Sequence, residues 1–196
     1  MKRYCPSRRR VVMRKTFAII CSVAGLCCAG AGEPAAVTLN DLDGVARQPL
    51  EPAGKLASVV VFYGHDCPIS NGYAPEINRI AASHTNFVFY IVQADADLTV
   101  AAAKEHAKEY DLRIPVLLDP KQQLIKLLKP HVTPEAFVIG SKREVLYHGR
   151  IDDLYAEIEK KRGTVTRHDL LDALDAIATG HPVKQKETPA VGCLIQ

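Results

Sequence analysis

The 196-residue chain has no tryptophan and no C-x-x-C pair. It has no internal repeat and no heptad array, which excludes solenoid and coiled-coil architectures, and it has no N-glycosylation sequon. The apolar run at 16–26 is too short for a membrane span and is soon followed by Gly, Glu and Pro. Excess positive charge is also missing once the N-terminus is set apart. Seven of the 25 Lys and Arg, and none of the 22 Asp and Glu, fall in residues 1–31. The remainder holds 18 basic against 22 acidic residues, a net −4, so the basic pI belongs to the N-terminus. A nucleic-acid partner loses its main support.

Residues 1–31 read as a secretory signal. Arg8, Arg9, Arg10, Arg14 and Lys15 form a basic head, 16–26 is the apolar stretch, and Ala29-Gly30-Ala31 supplies the small residues, with cleavage expected after Ala31. Met13 is an alternative start, because Met13-Arg14-Lys15 and the following run already form a complete signal. Ser7-Arg8-Arg9 resembles a twin-arginine signal, and Leu26-Cys27-Cys28 invites a lipoprotein reading. The expected location is the bacterial periplasm or cell envelope, with membrane anchoring only through a lipid on Cys27 or Cys28. Four of the six cysteines lie in this leader, so export leaves Cys67 and Cys193.

About 165 residues then remain, enough for one domain with a substantial core. The expected division is an irregular lead-in at 32–53 with a short strand near 37–39, a domain at 54–180, and a polar arm at 181–196. The arm carries Pro182 and Pro189 and reads as extended rather than packed. Apolar runs predict strands at 57–63, 86–93 and 114–118, and a hairpin of 136–139 with 145–147. Periodicity predicts helices from Cys67 or Pro68 to 84, then at 98–110, 121–128 and 169–179. Alternating strands and helices, a hairpin and a final helix make an α/β sandwich with a mixed sheet.

Cys67 ends the Val-rich run and opens a helical pattern. A thiol there has its thiolate stabilised by unpaired backbone N–H groups and the helix dipole, which makes redox chemistry the leading reading. In the fold implied by the resemblance described next, the loops of His65 and His131 border the thiol, and the two histidines then read as modulators of its acidity, as a copper-type ligand set with Cys67, or as solvated loop residues. Asp152 and Asp153 read as helix caps or cation ligands, and 160–162 as a solvated turn.

The segment from Phe62 to Ala81 resembles the thioredoxin superfamily. Phe62 stands five residues before Cys67, and Ala74-Pro75 stand seven and eight after it. Val132-Thr133-Pro134 looks like the family's cis-proline loop, which implies that Pro134 faces Cys67 and that the Thr133 backbone pairs with an extended substrate. Arg113 to Asp119 resembles the redoxin branch, AhpC/TSA- or TlpA-like. The implied fold is a thioredoxin-like three-layer sandwich. The implied activity is thiol–disulfide exchange or peroxiredoxin-like, antioxidant peroxide reduction, with a thiol reductant or a disulfide-bearing protein as partner and no cofactor or metal. Oligomeric state is left open.

The chain departs from the family at Ser70, which replaces the usual resolving cysteine, and at Asp66, which replaces Trp. Gly64 stands where peroxiredoxins place a peroxide-positioning hydroxyl. A C-x-x-S site cannot release a mixed disulfide from within its own motif. The Gly192-Cys193 tail resembles those of a group of exported redoxins. The 13 residues from Gly180 span at most about 43–47 Å, so Cys193 can reach Cys67 in its own or a partner chain. Cys193 then resolves Cys67, ties the tail down in a static disulfide, or is unrelated to it. The rival function is a non-catalytic module in which Cys67 is a copper or haem-maturation ligand.

Overall fold

The computed structural model describes Met1, residues 36–158 and residues 160–195. The expected signal at 1–31, with Ala31, Met13, Cys27 and Cys28, lies outside the described residues apart from Met1 itself. No helix among the described residues is long and apolar enough to cross a membrane.

A short hairpin, β1 (Leu39–Asn40) and β2 (Ala46–Arg47), leads in. The Asp41 carboxylate holds its turn, accepting from the N–H groups of Asp43 and Val45 and pairing with Arg47 at 2.8 Å. The chain then runs through β3 (Ser58–Tyr63), α1 (Pro68–Ser83), β4 (Val88–Gln93), α2 (Val100–Glu109), β5 (Val116–Leu118) and α3 (Gln123–Leu128). It continues through β6 (Val132–Thr133), β7 (Glu135–Ile139), β8 (Val145–Gly149), β9 (Tyr155–Glu157), β10 (Lys160–Lys161), α4 (Asp169–Ala178) and β11 (Cys193–Leu194).

The central sheet has the order β5-β4-β3-β7-β8, with β3, β4 and β5 parallel and β7 and β8 antiparallel. Every residue of β3 is at most 1% exposed. Both faces of this strand are covered, which is why it reads as a continuous apolar run instead of an alternating one. Val59, Val61 and Tyr63 face a cluster with Ile77 of α1 and Leu174 of α4. Val60 and Phe62 face a second cluster with Leu124 of α3 and with Val37 and Leu50 of the lead-in. The result is the thioredoxin-like three-layer sandwich with a mixed central sheet that the sequence predicts.

Phe62 is fully buried and meets the Phe137 ring edge to face at 5.5 Å. Phe62→Ala is expected to cost about 3–5 kcal/mol, seen as a lower urea midpoint at unchanged slope.

Three local expectations are corrected. Asp152 and Asp153 cap no helix. Asp152 accepts from the Tyr73 hydroxyl at 2.5 Å, and Asp153 accepts from the N–H groups of Thr166 and Arg167. Lys160 and Lys161 form a strand with β9 rather than a turn. The arm is extended but not loose. His148 donates its N–H to Lys186 O at 2.8 Å, and Thr188 returns its N–H to His148 O at 3.1 Å. Thr188 is buried, its hydroxyl 2.7 Å from the Tyr147 hydroxyl and accepting from Arg150 N–H. Gly149 has φ +139°, and a Cβ there would overlap the Thr188 carbonyl, so only glycine admits the arm.

Candidate active site

Cys67 is the N-cap of α1, with φ −87° and ψ 111°, and Pro68 fills the first helical turn, where its missing N–H is no loss. Ser70 donates its N–H to Cys67 Sγ at 3.4 Å. The Ser70 hydroxyl accepts from Gly64 N–H at 3.4 Å and donates to the same sulfur. In its thiol form Cys67 donates to Thr133 O at 3.1 Å. The residue is 3% exposed. Burial alone would raise its pKa. Hydrogen bonds from the Cys193 thiol, the Ser70 hydroxyl and the N–H groups of Ser70 and Cys193 outweigh it, so the Cys67 thiol is more acidic than an ordinary cysteine.

The Thr133–Pro134 peptide is cis. The tail returns to this loop: β11 pairs antiparallel with β6, placing Cys193 opposite Thr133 and Leu194 opposite Val132. Cys67 and Cys193 are both free thiols, and they are hydrogen-bonded to each other. Cys193 is pushed up to about 11, first by burial and then by its hydrogen bond to Cys67 and the charge of that sulfur, partly offset by the N–H of Ile69. One sulfur is thus set to carry charge and its neighbour to hold a proton. Beside them opens a cleft of about 750 Å³ bounded by His65, Asp66, Asp95, Leu98, Thr133 and Ile195.

Thr133, Pro134, Ser70, Cys67 and Cys193 therefore come together. The histidines behave differently. The His65 ring lies 3.0 Å from Asp95 and 3.2 Å from Asp66, and its N–H donates to Asp95. His131 is exposed, its backbone N–H bonded to the Glu135 carboxylate at 2.8 Å. Cys67, His65 and His131 form no ligand cluster. Among the described residues the only group with metal-ligand spacing is Glu76, Asp152 and His168. The copper-type set is thereby corrected: β6 carries the chain straight past the site, and the His131 side chain does not join the cleft.

The AhpC/TSA family profile matches residues 32–148, more than half of the chain. The chain belongs to the AhpC/TSA family. The thiol-disulfide oxidoreductase ResA of Bacillus thuringiensis subsp. konkukian is 25% identical over 128 residues, covering 65% of this chain and 73% of that one. The crystal structure of an uncharacterized conserved protein from Geobacillus kaustophilus superposes with TM-score 0.73 at 24% identity, over 84% of this chain and 90% of that one. A secreted Mycobacterium tuberculosis disulfide oxidoreductase homologous to E. coli DsbE matches with TM-score 0.53 at 17% identity, over 71% and 95%. These two structures speak to the fold alone.

In this AhpC/TSA-family chain two positioning groups escape a reading by motif. Asn71 donates to His65 O at 3.1 Å and accepts from His106 Nε2 at 2.9 Å, tying the loop before Cys67 to α2. Asp95 holds the same loop from the end of β4. The available signal was topological: ligands gather beyond the carboxyl ends of parallel strands, where 94–99 lies. Gly64 keeps the floor open, since a Cβ there would stand 2.8 Å from the Thr133 hydroxyl and 3.2 Å from Cys67 Cβ. Ser70 replaces a second thiol yet remains a donor to Cys67 Sγ. Ser70→Ala is expected to move the pH midpoint of Cys67 alkylation by iodoacetamide upward, because the thiolate loses a donor while burial is unchanged.

Proposed function

We propose that this protein is an exported thiol–disulfide oxidoreductase in which Cys67 attacks the disulfide of a protein or peptide substrate and Cys193 completes the exchange. The observation that carries the reading is the pair of free thiols that share Thr133, Cys67 at the α1 N-cap donating to its carbonyl at 3.1 Å and Cys193 opposite it in the β6–β11 ladder, with Cys67 more acidic than an ordinary cysteine and Cys193 less so. The Cys67 thiolate forms a mixed disulfide and one substrate sulfur leaves as thiolate. Cys193 then attacks Cys67 Sγ, and the second substrate sulfur leaves with the electron pair. The substrate disulfide is reduced, Cys67–Cys193 is the oxidised product, and an external thiol reductant restores both groups. The name of the relative, thiol-disulfide oxidoreductase ResA, supports thiol–disulfide exchange as the chemistry. The leader at 1–31 supports export to a periplasm or cell envelope, ahead of a lead-in at 32–53, a redoxin domain at 54–180 and an arm at 181–196.

Antioxidant peroxide reduction by the same pair is the second reading, favoured by family membership. There Cys67 takes one peroxide oxygen as sulfenic acid and releases an alcohol or water. Cys193 then condenses with it to the same disulfide and water. Initial rates with a peptide disulfide and with hydrogen peroxide, each followed by mass spectrometry of non-reduced peptides, decide between them. Fast disulfide consumption with a Cys67–Cys193 peptide is expected. Peroxide consumption alone would establish the second reading, and two unlinked thiols after both treatments would end both.

A further inference from the structure

We propose that residues 192–194 are a resident stand-in on the Thr133 edge, where the thioredoxin resemblance places the substrate chain, and that this edge selects glycine immediately before the substrate's reacting cysteine. The inference rests on the reading of Cys67 as nucleophile and goes beyond it to the substrate. Among the described residues β6 has one ladder partner, β11. The register sets Cys193 opposite Thr133. Gly192 is buried, and a Cβ on it would overlap the Thr133 carbonyl oxygen and stand 2.6 Å from its carbon. This obstacle is backbone, in the loop ended by Pro134, so it cannot swing aside as a flexible side chain does. The same carbonyl accepts from Cys67 Sγ, which fixes it at the reacting centre. The following position is unrestricted, because Leu194 is 78% exposed.

A substrate strand that brings its sulfur to Cys67 in this register meets the same carbonyl, so Gly-Cys fits and a bulkier residue before Cys is rejected. Substrate strand and tail also exclude each other. The tail must lift for the first attack and return for the second, when the Cys67–Cys193 bond forms and the substrate leaves as thiolate. Thr188 remains anchored meanwhile, and the five residues from it to Cys193 allow a reach of about 17–18 Å.

The test uses the full chain, the wild type beside Gly192→Val, with two symmetric peptide disulfides that differ only in Gly-Cys against Val-Cys. Release of peptide thiol gives the rate of attack, intact mass shows the Cys67 adduct or the Cys67–Cys193 disulfide that replaces it, and far-UV circular dichroism checks the fold. Gly192→Val evicts the tail and is expected to react with the Gly-Cys peptide about tenfold faster than the wild type, and about tenfold faster than with the Val-Cys peptide. Gly192→Ala repeats the test with a single methyl, should the larger side chain disturb folding. Equal rates for the two peptides, or no gain over the wild type, overturn the proposal while Cys67 remains the nucleophile. No release of peptide thiol, with Cys67 left unmodified by either peptide, removes the nucleophile reading and this inference with it.

Discussion

Cys67→Ser is expected to lower peptide-disulfide reduction by at least about a thousandfold, with the fold intact. A hydroxyl at the same place stays protonated at neutral pH, whereas the Cys67 thiol is made more acidic by its donors. The substitution separates chemistry from structure unusually well. Cys67 is the N-cap of α1 and accepts from Ser70 N–H, and serine performs that role at least as well, so α1 has no reason to fray. Steady-state rates and thermal midpoints of both proteins check the claim. A rate within tenfold of wild type would show that the nucleophile lies elsewhere.

Cys193→Ser is expected to turn a catalyst into a reagent that reacts once. Ser70 cannot resolve a mixed disulfide, and with Cys193 gone no second thiol remains among the described residues. One substrate half is then retained per protein molecule, seen as a mass gain equal to that half. Turnover falls by at least about a hundredfold unless a small thiol is added in excess. If Cys193 served only a static crosslink, the variant would lose stability and trap nothing.

The sheet and the N-cap placement of Cys67 were legible because their causes are local. The Val-rich run before Cys67, the Pro68 after it and the Ala74-Pro75 pair are contiguous sequence, and they set β3, the N-cap and α1. The tail's docking was not legible. It depends on Gly149 leaving room for Thr188, 39 residues away, and on Gly192 leaving room for Thr133, 59 residues away. Neither glycine signals its partner. Asp152 and Asp153 misled for the same reason. An acidic pair after a strand reads as a cap, yet Asp152 is held by Tyr73, 79 positions earlier. His131 is exposed, in keeping with its reading as a solvated loop residue, and the extended β6 separates it from Pro134.

The anchorage at Thr188 bears on how the protein behaves when scarce. A thiol leashed by five residues keeps a local concentration in the millimolar range or above, whatever the number of molecules in the compartment. In the proposed exchange, closure of the Cys67–Cys193 bond is thus a first-order event, insensitive to dilution. A second copy's tail would compete only where the protein itself approached millimolar abundance.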